Sequence, residues 1–327
     1  MNADEYQSAA IDVATVPNNH VDDGEDTLPV TFVILTRDEE RNLPGCLESL
    51  HGHSDDVHVL DSGSEDGTAA VATSYGVPVH FHSFESFGRQ RNWAIDHIPH
   101  QYDWVFHLDA DERLTKPLAE EIRRVLRGSP SAAGFYIPSK LLFRGQWLRR
   151  SGGYPNYQVR LFNRRRLRFE DHGHGQREKT DGHLGYLREP YLHDAFSKGL
   201  EVWLQKHAGY AKREAEKYTA STDAGIIGHL THVFRWDPIA RRRALKNLSF
   251  RLPCRSTLRF LDVFLLRGAF LDGRAGLAYA QMLAAYEAMI SAHISVLRCD
   301  ADAETESCGS DLGAFTDEPD SLPRNPR

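Results

Sequence analysis

Four short apolar runs, each closed by a polar or acidic loop and followed by a helical stretch, constrain the fold of this chain more than any other feature. Val30–Leu35, Val57–Leu60, Val77–Phe81 and Trp104–Leu108 have the length and the β-branched, aromatic content of buried strands. Helices are expected at about Leu43–His51, before Tyr75, at Gln90–His97 and over Lys116–Arg127. Strands that alternate with helices predict an α/β fold, a mostly parallel sheet covered on both faces. In such sheets ligands bind outside the carboxyl ends of the strands. The loops around Asp38, Asp61 and Asp109 all leave carboxyl ends, so a site is expected where they converge.

The rest of the chain differs in texture. Residues 134–193 are rich in Gly, Arg and aromatics, with short strands such as Gly134–Pro138 and Gln158–Phe162. From Lys198 to Lys217 the residues Leu200, Trp203, Leu204, His207 and Tyr210 recur at helical steps, and 238–298 reads as two or three more helices. Both ends are acidic and poor in aromatics: residues 1–28 hold seven acids and no Lys or Arg, and 299–327 hold eight acids against Arg324 and Arg327. The expected division is an acidic tail over 1–28, an α/β domain over 29–195, a helical region over 196–298 and a second acidic tail over 299–327.

The net charge of −7 argues against a nucleic-acid partner. Between Arg241 and Arg274, however, nine basic residues stand against Asp262 and Asp272, around the apolar run Leu258–Leu266. Such a stretch either lies in a membrane interface or packs its apolar face on the domain with its arginines in water. Cys46, Cys254, Cys299 and Cys308 show no CxxC spacing, which favours reduced thiols over a disulfide framework or zinc ribbon. No apolar core of a secretory signal and no run of about 18 apolar residues is seen. A cytoplasmic location is expected.

Asp109-Ala110-Asp111 is the most chemically pointed motif. Two carboxylates one residue apart at a strand end concentrate negative charge that a cation must answer. Mg²⁺ or Mn²⁺ accepts one or two carboxylates plus phosphate oxygens, which suits a nucleotide diphosphate leaving group. The alternative is that the acids cap the helix at Lys116. Upstream, Asp61-Ser62-Gly63-Ser64-Glu65-Asp66-Gly67-Thr68 ends a strand, where an acid can hydrogen-bond a ribose or base and Asp66 or Ser64 can cap the next helix.

Four ordered segments together resemble the motifs of family-2 glycosyltransferases with the GT-A fold: Val33–Glu40, Val59–Thr68, Gly88-Arg89-Gln90-Arg91-Asn92 and Leu108–Glu112. The likeness is strongest to the lipopolysaccharide-core and exopolysaccharide glucosyltransferase-like branch. Gly152–Phe162, His172–Glu178, Tyr191-Leu192-His193 and Ser197-Lys198-Gly199 extend it over roughly residues 29–297. The resemblance implies inverting sugar transfer from a nucleotide-sugar donor, a UDP-sugar by preference, to an envelope glycan or lipid-linked saccharide at the inner face of the cytoplasmic membrane, with Mg²⁺ or Mn²⁺. It implies a donor site that includes Thr36, Asp38, Glu39, Asp61, Arg89, Asn92, Asp109, Ala110 and Asp111, with Asp111 and Asp109 at the metal. Asp38 departs from the family, which usually has Asn there.

The base that deprotonates the acceptor is expected to be Glu178, then Asp171, each of which can instead serve as a loop ion-pair partner; His174 is placed near the acceptor or diphosphate. Gln158, Arg160 and Arg177 are candidates for the acceptor or diphosphate. His172, His174, His183 and His193 lack the regular spacing of a zinc site. Trp147, Tyr154 and Trp203 either stack on sugars or pack the core. Arg113, two residues beyond Asp111, excludes a haloacid-dehalogenase-type phosphatase, and the chain has no GxxxxGK[ST] loop. The competing class is a non-catalytic transferase-like domain serving as a membrane or assembly adaptor.

Overall fold

The structure, a computed structural model, describes residues 27–172, 175–220 and 254–312. His174 and the basic residues of 241–253 lie outside them.

The alternating half folds as the periodicity predicts. Strands β1 (Thr31–Thr36), β2 (Val57–Asp61), β3 (Val79–Phe81) and β4 (Trp104–Asp109) are parallel and lie in the order β3-β2-β1-β4. Helices α1 (Leu43–Leu50), α2 (Thr68–Ser74) and α3 (Phe87–His97) connect them. Strand β1 shows why both faces must be covered. Phe32 and Ile34 enter one core with Leu43, Leu47, Phe106 and Leu108, while Val33 enters the other with Ala94, Ile95 and Val105.

The strand order reverses between β1 and β4, which opens a crevice at their carboxyl ends. After the two-residue β5 (Glu112–Arg113) comes α4 (Lys116–Arg127), whose Leu118, Ala119 and Ile122 are buried. Its N-cap is Thr115, which accepts from the Leu118 amide at 3.3 Å. Asp109 and Asp111 are therefore not the cap of this helix.

Beyond α4 the sheet becomes mixed. Strand β6 (Gly134–Phe143) carries the short β7 (Gln146–Trp147), and β8 (Asn156–Asn163) inserts antiparallel between β4 and β6. A hairpin of β9 (Arg168–His172) and β10 (Gly175–Lys179) follows, then β11 (Leu184–Tyr186) and β12 (Tyr191–His193), both parallel to β6. Strand β12 also pairs with β5, which brings His193 opposite Glu112.

The described residues fall into two compact units, one running to Leu200 and including Arg267–Tyr279, the other holding Glu201–Leu266 and the residues from Ala280. In the second, Ala211, Ala215 and Tyr218 of α5 (Leu200–Ala220) pack with Ile290 and Ile294 of the long helix α6 (Gly273–Leu312). Helix α6 continues past residue 299, the expected start of the polar tail.

Within the first unit, Asp272 anchors the returning segment. Its carboxylate accepts from the Ser151 amide at 2.8 Å, the Ser151 hydroxyl at 2.7 Å and the Arg150 amide at 3.0 Å. Asp272→Ala leaves two amides without their acceptor, a cost of about 2–4 kcal/mol. A lower urea midpoint, with partial recovery in Asp272→Asn, is expected; an unchanged midpoint would contradict the anchor.

Candidate active site at the carboxyl end of the sheet

Two loops leave β1 and β2 and are joined by reciprocal hydrogen bonds. Asp61 ends β2 and accepts from the Thr36 hydroxyl at 2.8 Å, the Gly63 and Ser64 amides at 3.0 and 2.8 Å, and the Ser64 hydroxyl at 2.5 Å. Burial alone would raise its carboxyl, but the bonds from Ser64, Thr36 and Gly63 outweigh it and hold Asp61 below the usual range.

Asp38 has φ +53°, a left-handed conformation that Asp and Asn adopt more readily than other residues. Its amide donates to Ser64 Oγ and its carboxylate accepts from the Glu65 amide, both at 2.8 Å. The departure from Asn therefore preserves the backbone geometry. Glu39 pairs with Lys198 at 2.5 Å and accepts from the Asn42 amide group at 2.7 Å. Burial raises its carboxyl, and those two donors only partly oppose the rise.

Helix α3 enters the site through a tight contact with β9. The Asp171 carboxylate accepts from the Ser86 hydroxyl at 2.7 Å and the Gly88 amide at 3.0 Å. A Cβ on Gly88 would lie 2.8 Å from that carboxylate and 3.1 Å from the Asp171 amide, so a side chain there would push the carboxylate and hairpin away from the helix. The Asn92 side chain exchanges both its hydrogen bonds with the Phe169 backbone, at 2.8 and 2.9 Å. Arg89 is exposed and pairs with Glu85. Asn92 and Asp171 thus join helix to hairpin, and it is Arg91, between Arg89 and Asn92, that points into the site.

At the end of β4, Asp109 lies between two guanidinium groups, 3.1 Å from Arg91 and 2.8 Å from Arg160. Arg160 also contacts Glu112, which is fully buried and accepts from the Asp109 amide at 3.0 Å. A β-bulge directs Arg160 there: Leu161 pairs with Phe135 and Val159 with Tyr136, which leaves Arg160 as the extra residue of β8.

Burial would raise Asp109, but Arg160 and Arg91 overcome it and hold the carboxyl well below the ordinary range. Burial holds Glu112 above that range. Asp111 faces His193 at 3.4 Å. Burial opposes a charge on His193, but the bond to Asp111 and the nearby Glu112 and Asp109 prevail and lift it to about 9. Arg91, Arg160 and His193 thus face Asp109, Asp111 and Glu112 at this point.

Both oxygens of Asp109 face arginines, whereas Asp111 and His193 face each other and are candidate donors for a cation. Among the described residues no three His, Cys, Asp or Glu side chains are grouped to hold a metal. A nucleotide diphosphate would have to complete the coordination. Asp194, next to His193, donates its amide to the Asp111 carbonyl at 2.9 Å, and its carboxylate Oδ1 is buried without a partner.

Arg91, Glu112, His193 and Lys198 were not among the site residues expected from sequence, although each lies in or beside a recognised motif. Ala110 is buried beneath the loop. Gln158 and Arg177 are exposed, and Arg160 is buried against carboxylates. Glu178 accepts from the Tyr136 hydroxyl. Trp147 lies under Lys140, 4.7 Å from its ring centroid, and against Tyr154, while Trp203 stacks on His207 at 3.6 Å. These rings are engaged in packing.

A parallel sheet with a switch-point crevice, extended by a mixed half, is a GT-A-like fold with its candidate site at the end of β4. Residues 31–187 match the model described as Glycosyl transferase family 2, and this segment is a glycosyl transferase family 2 domain.

The lipopolysaccharide core biosynthesis glycosyltransferase LpsC of Rhizobium meliloti is 32% identical over 179 residues, 53% of this chain and 62% of that protein. A TPR repeat-containing protein of Synechococcus elongatus is 36% identical over 237 residues, 63% of this chain and 55% of its own. The chain thus spans somewhat over half the length of these curated relatives. Among solved structures, glucosyl-3-phosphoglycerate synthase from Mycobacterium tuberculosis, in complex with Mn²⁺ and UDP-glucose, is 21% identical over 35% of this chain and 43% of that chain, with a TM-score of 0.29.

Proposed function

We propose that the protein transfers a sugar from a nucleotide-sugar donor, a UDP-sugar by preference, to a saccharide of the cell envelope, with inversion at the anomeric carbon. The observation that carries this reading is the Asp111–His193 pair beside the ion-pair cluster of Asp109, Arg91, Arg160 and Glu112, at the switch point of a family-2 domain. The role of the Rhizobium meliloti relative in lipopolysaccharide core biosynthesis supports an envelope acceptor.

A diphosphate would add negative charge beside Asp109 and Asp111, which an added cation would offset. Mg²⁺ or Mn²⁺ would be held by Asp111 and His193 together with phosphate oxygens, and when bound it would offset the charge that grows on the leaving diphosphate. His193 must give up its proton to serve as a ligand. Arg91 and Arg160 keep Asp109 ionised and fixed. Glu39 and the loop organised by Asp61 line the side of the crevice assigned to the nucleotide. Glu178 is the base of choice, because both oxygens of Asp171 already accept hydrogen bonds from Ser86 and Gly88. It would take the proton of the attacking acceptor hydroxyl as the anomeric C–O bond forms and the bond to the diphosphate breaks.

A contact with the inner face of the cytoplasmic membrane belongs to the same reading. Leu258 and Leu261 lie in a helix over Arg255–Leu261, and Leu265 and Leu266 in the π-helical turn that follows it; all four are exposed, Leu266 by 83%, inside the basic 241–274 stretch. Among the described residues no helix is long and apolar enough to cross a membrane.

Calorimetric titration of UDP into the full chain, with and without Mn²⁺, tests the donor assignment. Binding that requires the metal is expected. If UDP, GDP and other nucleotide diphosphates all fail to bind, the reading falls and the adaptor class replaces it.

A further inference from the structure

Three tyrosines converge on one sheet face beside the site. Tyr136 of β6 and Tyr186 of β11 are register partners, and their rings stack at 5.0 Å with 27° between planes. Tyr157 of β8 meets Tyr186 edge to face, at 5.3 Å and 90°. The Glu178 carboxylate accepts from the Tyr136 hydroxyl.

Burial does not account for this cluster: Tyr186 is 65% exposed and Tyr157 39%. Its location links it to the reaction centre. Tyr157 lies three residues before Arg160 on the same strand, about 10 Å along it, and Arg160 contacts Asp109. Tyr136 borders the core formed with α3, the helix that supplies Arg91 to Asp109, and Glu178 pairs in the hairpin with Phe169, the ring under Arg91. The aromatic face and the Asp109 carboxylate are therefore on the same side of the sheet.

We infer that Tyr157 and Tyr186 form a stacking platform for the acceptor saccharide, with the Glu178 carboxylate at its inner edge to meet a sugar hydroxyl. This rests on the glycosyl-transfer reading and adds an acceptor subsite to it. The negative face of an aromatic ring attracts the polarised C–H groups of a pyranose, while phenolic hydroxyls and a carboxylate around the rim match the sugar's hydroxyls. A purely apolar acyl chain would leave that polar rim without partners. The perpendicular rings form a corner, which suits a branched or bent saccharide better than a flat ring system.

The test is saturation-transfer NMR on the full chain with UDP and Mn²⁺, using deacylated lipopolysaccharide core oligosaccharide as the probe, beside calorimetry of UDP. Wild type is expected to transfer saturation to sugar ring protons. The double variant Tyr157→Ala/Tyr186→Ala should bind the oligosaccharide about tenfold more weakly, with UDP affinity unchanged. Tyr186→Trp, which keeps a ring at an exposed position, should retain oligosaccharide binding, and the unchanged UDP affinity of the double variant separates its loss from misfolding.

Undiminished oligosaccharide binding in the double variant overturns the platform and leaves the donor assignment standing. Transfer to the acyl protons of added phospholipid micelles, in place of the sugar, overturns it in favour of a lipid occupant. Failure of wild type to bind any nucleotide removes the glycosyl-transfer reading, and the platform with it.

Discussion

Arg160→Met is expected to destabilise the α/β domain by about 3–5 kcal/mol, the usual cost of removing one partner from a buried ion pair. Arg160 is 2% exposed and touches both Asp109 and Glu112. Without it, Glu112 is a fully buried carboxyl beside another carboxylate. One effect limits the damage: burial already holds Glu112 high, so it can take up a proton instead of staying charged.

The companion variant Arg160→Met/Glu112→Gln removes the stranded acid and should recover part of the loss. Denaturant unfolding of the two single variants and the double forms a cycle whose coupling isolates the pair. A single-variant change below about 1 kcal/mol would be out of keeping with a buried pair. It would place the guanidinium in water.

Asp111→Asn is expected to abolish metal-dependent nucleotide binding and to lower turnover by at least about 10²-fold, the scale seen when one electrostatic stabiliser is lost from a preorganised site. Folding should survive. The Asp111 side chain is a quarter exposed and its partner is a histidine, which can discharge once the acid is gone. Thermal melting separates the two readouts: turnover falls while the melting temperature holds. His193→Ala should weaken Mn²⁺-dependent binding in the same direction. Full activity in Asp111→Asn would remove this carboxylate from the reaction and leave Asp109, already bound by two arginines, as a poor substitute.

These two expectations separate neighbours that look alike in the chain. Asp109 and Asp111 are one residue apart and identical in type. At a strand end, however, they face different surroundings, one held between two arginines, the other beside an imidazole. Asp61 and Asp171 show the same division between chemistry and architecture. Asp61 organises its loop through four accepted hydrogen bonds, and Asp171 fixes the start of α3.

Local pattern alone determined the parallel half of this protein. The β-branched runs ending near Thr36, Asp61 and Asp109 could bury themselves only as strands covered on both faces, and the acidic loops at their carboxyl ends located the crevice. The mixed half was legible only as texture, because short strands such as β11 and β12 gain their stability from distant partners and not from their own sequence.

Tertiary structure decided which side chains meet. A one-residue bulge carries Arg160 to Asp109, a β12–β5 pairing brings His193 across from Glu112, and three tyrosines between residues 136 and 186 come together across three strands. Such meetings depend on register, and a shift of one residue would send each of these side chains to the opposite face of the sheet.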